Sequence, residues 1–203
     1  DPGNRRDFLD RLLITRSPRL IGVIADYERV VKQRNTLLKT RSSSAALQPW
    51  SEQLINVGAN LTAERIALVA ALNPCVSENY RNLNEVKPAS ISYKSSTEGL
   101  TSDVANNITF LTSRLEEVQY QEIERGTTLI GPHRDDLTLT IGDFPAKGYA
   151  SHGESWSMAI ALRIGSFNLL KKEGSDPILI LDDVFAELDT SRRLQLVAAT
   201  KMA

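Results

Sequence analysis

The chain has one cysteine, Cys75, in 203 residues. That excludes an internal disulfide and any cysteine-based zinc cluster, and it fits a reducing compartment such as the cytoplasm. Its two histidines, His133 and His152, lie in different motifs and are too few to build a zinc or iron site. No run of about 18 apolar residues occurs. The opening Asp1-Pro2-Gly3-Asn4-Arg5-Arg6 has no apolar signal-peptide core, so neither membrane spanning nor export is indicated. An excess of charge of one sign is also missing. The net charge of −1 argues against a protein that coats nucleic acid generally. Aromatics make up only 6%, and Trp50 and Trp156 read as packing residues, because neither sits in a basic, aromatic-rich strand pattern. No G-x-x-x-x-G-K-[ST] is present, so the loop that cradles the β- and γ-phosphates in P-loop enzymes is absent. The sequence lacks a starting Met and closes on Lys201-Met202-Ala203 inside a helical pattern, which leads us to expect a piece of a longer protein.

An apolar content of 41% is ample for a folded core. Charge is unevenly placed. Residues 1–41 carry ten Lys/Arg against five Asp/Glu, whereas 173–191 carry six acids and no base. The first region suits phosphates and the second a divalent cation.

From about Asp7 to Thr40, Phe8, Leu9, Leu12, Leu13, Val23, Tyr27, Val30, Val31, Leu37 and Leu38 recur at helical spacing, with a break near Ser17-Pro18. A Ser/Ala-rich stretch at 42–46 reads as a linker. A helix is expected over about 47–73, stopped by Asn73-Pro74, and another from about Cys75 to Leu83. Ala89 to Lys94 alternates as a short strand, and Asp103 to Arg125 reads as a charged helix. After Gly126 the period changes. Thr127–Ile130 and Leu137–Ile141 are expected as strands flanking Gly131-Pro132-His133-Arg134-Asp135-Asp136. A helix from about Glu154 to Lys172, a buried strand Pro177–Leu181 and a closing helix from about Ser191 follow. The expected division is a helical arm over 1–125 and an α/β head portion over 126–203.

The continuous apolar run Pro177-Ile178-Leu179-Ile180-Leu181 suits a strand covered on both faces, and Asp182-Asp183 stand at its carboxyl end, where open parallel sheets bind ligands. In a P-loop ATPase the first acid helps hold Mg²⁺ and the next polarises the attacking water. The same pair can also simply end a strand at the surface. Val184-Phe185-Ala186-Glu187-Leu188-Asp189 follows and reads as a D-loop, with Asp189 also suited to cap the next helix. Upstream, Ser151-His152-Gly153-Glu154 precedes a helical pattern. A helix start is an anion site, and S-x-x-E is equally a capping box.

Taken together, Gly131-Pro132-His133-Arg134-Asp135-Asp136, Ser151-His152-Gly153-Glu154 and Leu181-Asp182-Asp183-Val184-Phe185-Ala186-Glu187-Leu188-Asp189 resemble the RecF family. Asn4-Arg5-Arg6-Asp7-Phe8-Leu9-Asp10 and Lys32-Gln33-Arg34-Asn35 are similar to that family's earlier segments, and the resemblance thins between about 41 and 125. It implies an α/β fold: a partial ABC/SMC-head-type ATPase core, with signature helix and Walker B strand, and a large helical arm inserted before it. It implies a DNA-repair and replication protein of gap repair and the SOS response. Such a protein dimerises around ATP and Mg²⁺, binds gapped single- and double-stranded DNA, and acts with RecO and RecR in bringing RecA to DNA. By motif, Asp182 is the Mg²⁺-associated acid and Asp183 the water-activating one. Ser151 and Gly153, with Glu154 beside them, contact the γ-phosphate of ATP held by the partner subunit, and Asp189 lies in the D-loop. His152 stands where the general ABC signature has glycine. For Gly131 to Asp136 a structural turn and a chemical role both remain open. The basic N-terminal region makes Arg5, Arg6, Lys32 and Arg34 the DNA-contact candidates, against the plainer reading of solvated helix faces. Without a phosphate-binding loop, this chain alone is expected not to hydrolyse ATP.

Two other classes compete. The nucleotide-binding subunit of an ABC transporter calls for a glycine-rich signature, usually Asp-Glu after the strand, and a much shorter helical insertion. A non-catalytic helical interaction module would make the motif matches coincidental.

Overall fold

The computed structural model describes residues 1–83, 86–181 and 197. Asp182, Asp183, Asp189 and the expected closing helix from Ser191 therefore lie outside the described residues, Val197 excepted.

Helix α1 (Pro2–Arg16) starts where Asp1 accepts the Gly3 N–H at 2.6 Å and Pro2 occupies the first turn, where no amide partner is lost. The chain breaks at Ser17-Pro18 as expected and resumes as α2 (Leu20–Lys39). Helix α3 (Ser44–Leu83) is 40 residues long and differs from expectation at both ends of the predicted helix. It begins inside the Ser/Ala-rich stretch expected as a linker, and it runs through Asn73-Pro74 without stopping. Proline deletes one backbone donor from a helix interior and crowds the preceding turn, a cost of about 3 kcal/mol that tertiary packing must offset. Asn73 does not cap here. Its side-chain oxygen accepts the Ile91 N–H at 2.7 Å and so fastens strand β1 (Ala89–Lys94) to the helix. Gly165 of α6 (His152–Lys172) lies so close that a Cβ there would meet Val76 Cγ2 and N at 3.1 Å and the Cys75 carbonyl carbon at 3.3 Å.

Helix α4 (Val104–Arg125) has Asp103 as N-cap and ends on Gly126 with φ +63°, a left-handed stop. Strands β2 (Asp136–Ile141) and β3 (Phe144–Pro145) form an antiparallel pair in a three-stranded sheet of order β1-β2-β3. A kinked four-residue turn, α5 (Ala146–Tyr149), leads into α6.

The expected strand at Thr127–Ile130 is not formed. Its backbone donors go elsewhere: Thr128 N–H to Asn35 Oδ1 and Leu129 N–H to Glu122 Oε1, both at 2.7 Å. Nor does Pro177–Leu181 form the expected buried strand. Ile178 is 88% and Ile180 81% exposed, and no strand among the described residues pairs with the segment. An extended run without a ladder partner is not a strand.

The chain divides into two compact units, Asp1–Leu68 with Tyr93–Leu137, and Val69–Ser92 with Thr138–Ala203. In the first, Leu9, Leu12 and Leu13 of α1, Leu20, Tyr27, Val30 and Leu38 of α2, Leu54 and Leu61 of α3, and Leu111, Leu115 and Val118 of α4 are buried. In the second, Leu72, Val76 and Tyr80 of α3, Ile91 of β1, Ile141 of β2 and Met158, Ile160 and Ile164 of α6 are buried. Each such side chain stabilises its unit by about 1.5–3 kcal/mol. Part of α3 is long and apolar enough to cross a membrane by length and composition, at mean hydropathy 1.2. Leu54, Leu61, Leu68, Leu72 and Val76 are nevertheless buried against protein, as in a core helix.

Candidate functional site

Two motifs lie wholly within the described residues. The first is Ser151-His152-Gly153-Glu154, which opens α6 in the second unit. Gly148 at φ +90° turns the chain into it, and Tyr149, 69% exposed, stacks on Phe144 with ring centroids 5.3 Å apart. Ser151 Oγ accepts the Glu154 N–H at 3.2 Å, while the Ser151 N–H donates to Glu154 Oε2 at 2.8 Å, so the reciprocal capping box is complete. Lys87 Nζ donates to the other carboxylate oxygen of Glu154 at 2.8 Å. Lys87 first, and then Ser151, pull the Glu154 carboxyl down to about 2, so it is charged throughout the neutral range.

Capping leaves the site usable. A serine hydroxyl accepts through its lone pairs and still has one O–H to donate. Ser151 is exposed at the positive end of a 21-residue helix, where first-turn amides face outward. Phosphate fits this donor set, with Ser151 and the Gly153 amide as the groups to hold it.

The second motif, Gly131 to Asp136, is the hub of the first unit. Asp135 is fully buried. One of its carboxylate oxygens accepts the Ser96 N–H at 2.6 Å and the other the Tyr93 O–H at 2.7 Å, while its carbonyl accepts from Arg6 Nη1 at 2.9 Å. Burial raises its carboxyl, and these hydrogen bonds oppose the rise. Asp136 takes both arms of Arg5, Nε at 2.8 Å and Nη2 at 2.6 Å, a fork that holds its carboxyl low. Arg65 reaches the Pro132 carbonyl at 2.7 Å and grips Asp10 at 2.8 Å through two nitrogens. His133 Nδ1 lies 2.7 Å from Tyr27 Oη, and its Nε2 3.3 Å from the Thr128 carbonyl. These partners assign the neutral tautomer with the proton on Nε2, Tyr27 donating to Nδ1. Burial lowers His133 to about 4, against the hydrogen bond to the Thr128 carbonyl, which acts in the opposite direction. Gly131 adopts φ +107°, and a Cβ there would collide with Tyr27 Oη. The motif is therefore a glycine-started turn whose side chains and carbonyls clamp α1, α2, α3 and the loop after β1. The sequence shows the turn but not the three arginines and two tyrosines that converge on it, because they come from residues 5 to 93.

The DNA-contact candidates fall unequally. Arg5 and Arg6 bind the hub. Arg34 is 2% exposed and pairs with Glu122 Oε2 at 2.6 Å, with Thr128 Oγ1 and Ser51 Oγ as further acceptors. Lys32 is the exposed one of the four. No cluster of three or more metal-ligating side chains occurs among the described residues. Asp182, expected to hold Mg²⁺, and Asp183 and Asp189 are outside them.

No family model matches the sequence. A curated protein, the DNA replication and repair protein RecF of Streptomyces avermitilis, is 50% identical over 207 residues, covering 97% of this chain and 56% of that protein. The chain thus spans a little over half the length of this relative. Two solved structures align at TM-score 0.87 and 24% identity: the recombination mediator protein RecF-ATP in the RecFOR pathway, covering 99% of this chain and 55% of that one, and its RecF-ATPrS counterpart, covering 98% and 55%. They show that the chain shares the fold of these RecF structures over the aligned length.

Proposed function

Over the length it shares with these relatives the chain belongs to the RecF family, and from that premise we propose that it supplies the signature and Walker B side of an ATP-switched DNA-repair and replication protein. The observation that carries this reading is the exposed, serine-capped start of α6, which suits a phosphate brought by a second subunit. In the whole protein the division falls between a helical arm over 1–125 and the head portion over 126–203. ATP closes a homodimer in which Ser151 and Gly153 of one subunit face the γ-phosphate held by the other, with Glu154 fixing the serine. Asp182 would hold Mg²⁺, which would neutralise charge at the phosphates, Asp183 would orient water, and Asp189 would lie in the D-loop. Lacking the phosphate-cradling loop, the 203-residue chain by itself is inactive as an ATPase.

Gapped DNA, RecO, RecR and, indirectly, RecA are the proposed partners, in the cytoplasm and within the SOS response. DNA contact is assigned to the basic N-terminal region, with Lys32 leading because Arg5, Arg6 and Arg34 already hold carboxylates or carbonyls. Lys32→Ala in the full-length protein is expected to reduce the slope of log affinity against log salt by about 0.9 on duplex DNA. An unchanged slope moves the DNA surface elsewhere.

Sedimentation of the full-length protein with ATP tests the nucleotide reading. Asp183→Asn is expected to accumulate dimer, because water activation is lost while nucleotide is retained. Ser151→Arg is expected to bind ATP and stay monomeric, because the side chain occupies the phosphate's place. Equal dimerisation of both variants would remove Ser151 from the interface.

A further inference from the structure

Lys87 is joined to the start of α6 by geometry that neither stability nor the motif itself requires. It reaches Glu154 across 67 positions of sequence, with its own side chain 53% exposed. An ion pair so open to solvent contributes little to folding. Its placement is nevertheless set by the fold. The β2–β3 turn residue Gly142, at φ +59°, donates its N–H to the Pro88 carbonyl at 2.8 Å, and a Cβ on Gly142 would lie 3.7 Å from Lys87 Cδ. The hairpin turn thereby holds the 87–88 segment, with the lysine stem passing beside the side-chain-free Gly142.

We propose that Lys87 is a positioning residue for the phosphate contact at Ser151, fixing the Glu154 carboxylate and cancelling its charge at the point where a phosphate is received. The proposal rests on the reading of Ser151 as the contact to nucleotide held by a second subunit. Glu154 uses one oxygen for the Ser151 N–H and the other for Lys87 Nζ, each at 2.8 Å. The carboxylate is therefore turned to serve the cap. Its charge sits in the first turn of a helix whose amides and dipole attract anions. Unpaired, that charge opposes an incoming triphosphate; with Lys87 in place the local charge is balanced, and the Ser151 O–H and Gly153 amide act undiminished. Lys87 touches no phosphate in this scheme. It acts through Glu154.

The test uses full-length protein and ATP itself. ATP affinity of the monomer, melting temperature, and the ATP concentration giving half-maximal dimer are measured for wild type, Lys87→Met, Lys87→Arg and Ser151→Arg. Lys87→Met is expected to leave monomer affinity and melting unchanged and to raise the half-maximal ATP concentration about tenfold, within the range of one charge-assisted hydrogen bond. Lys87→Arg, which keeps charge and donors, is expected to restore it. A Lys87→Met protein that dimerises like wild type while Ser151→Arg stays monomeric overturns the role of Lys87 alone. Wild-type dimerisation by Ser151→Arg overturns the reading of Ser151 and, with it, this proposal. Unfolding of Lys87→Met, or failure of Lys87→Arg to restore closure, makes the lysine a stability or shape element and also overturns it.

Discussion

Arg34 shows how far a residue's role departs from its sequence neighbourhood. In the sequence it is one of ten cations in a basic stretch. In the fold it and Glu122 form an ion pair with side chains 3% and 0% exposed, and such a pair persists only because both partners are fully hydrogen-bonded. The Glu122 carboxylate also accepts from Leu129 N–H, which is why Thr127–Ile130 does not read out as the strand its alternation suggests. His133 carries the clearest pH signature. Its folded value, near 4, lies below the ordinary value of about 6.5. The unfolded chain therefore binds the proton more readily, and the contribution of neutral His133 is full above about 6.5 and lost as pH falls toward 4. Asp135, whose raised carboxyl titrates with the opposite sense, and the cations Arg6, Arg34 and Arg134 share this environment. We predict that His133→Gln, which keeps a donor and an acceptor, flattens the loss of stability between pH 6.5 and 4. Denaturant midpoints at successive pH values check this, and an equal slope in the variant would assign it to other groups.

Among the elements, α3 and α6 were legible in different degrees. The S-x-x-E pattern gave the start of α6 within two residues, and Ser17-Pro18 gave the break between α1 and α2. Local chemistry decides both features, so local sequence reveals them. Asn73-Pro74 misleads for the opposite reason. Its local preference to stop a helix is overridden by contacts from distant residues, namely Ile91 on Asn73 and Gly165 packed against Cys75 and Val76. Likewise Pro177–Leu181 has the composition of a buried strand, but strand formation depends on a neighbour, and composition does not supply one. Gly165 is the prediction at this scale. Its absent side chain lets α6 approach the proline turn of α3, so Gly165→Val is expected to destabilise the chain by about 1–3 kcal/mol through overpacking against backbone. A thermal melt within error of wild type would show that the two helices separate without cost.

For the molecule as a whole, family and fold were legible because three short motifs combine in a fixed order, while the site itself is divided. Ser151 and Gly153 are described at the start of α6; Asp182, Asp183 and Asp189 are named by sequence alone. The central claim is that the serine of one subunit completes the nucleotide site of another. Mixing two full-length variants tests it most directly. Ser151→Arg keeps its own nucleotide-holding side and Asp183 but spoils the contact it offers a partner. Asp183→Asn offers an intact Ser151 but cannot activate water. Each alone is expected to be inactive in ATP hydrolysis. In a mixed dimer the Ser151→Arg substitution blocks one composite site, but the other pairs an intact Asp183 with an intact Ser151 from the other subunit and closes on its own nucleotide, so single-turnover hydrolysis is expected to return when the two are combined. If Ser151 serves the nucleotide of its own subunit, every site in the mixture is defective, and hydrolysis no greater than the sum of the separate variants would contradict the account.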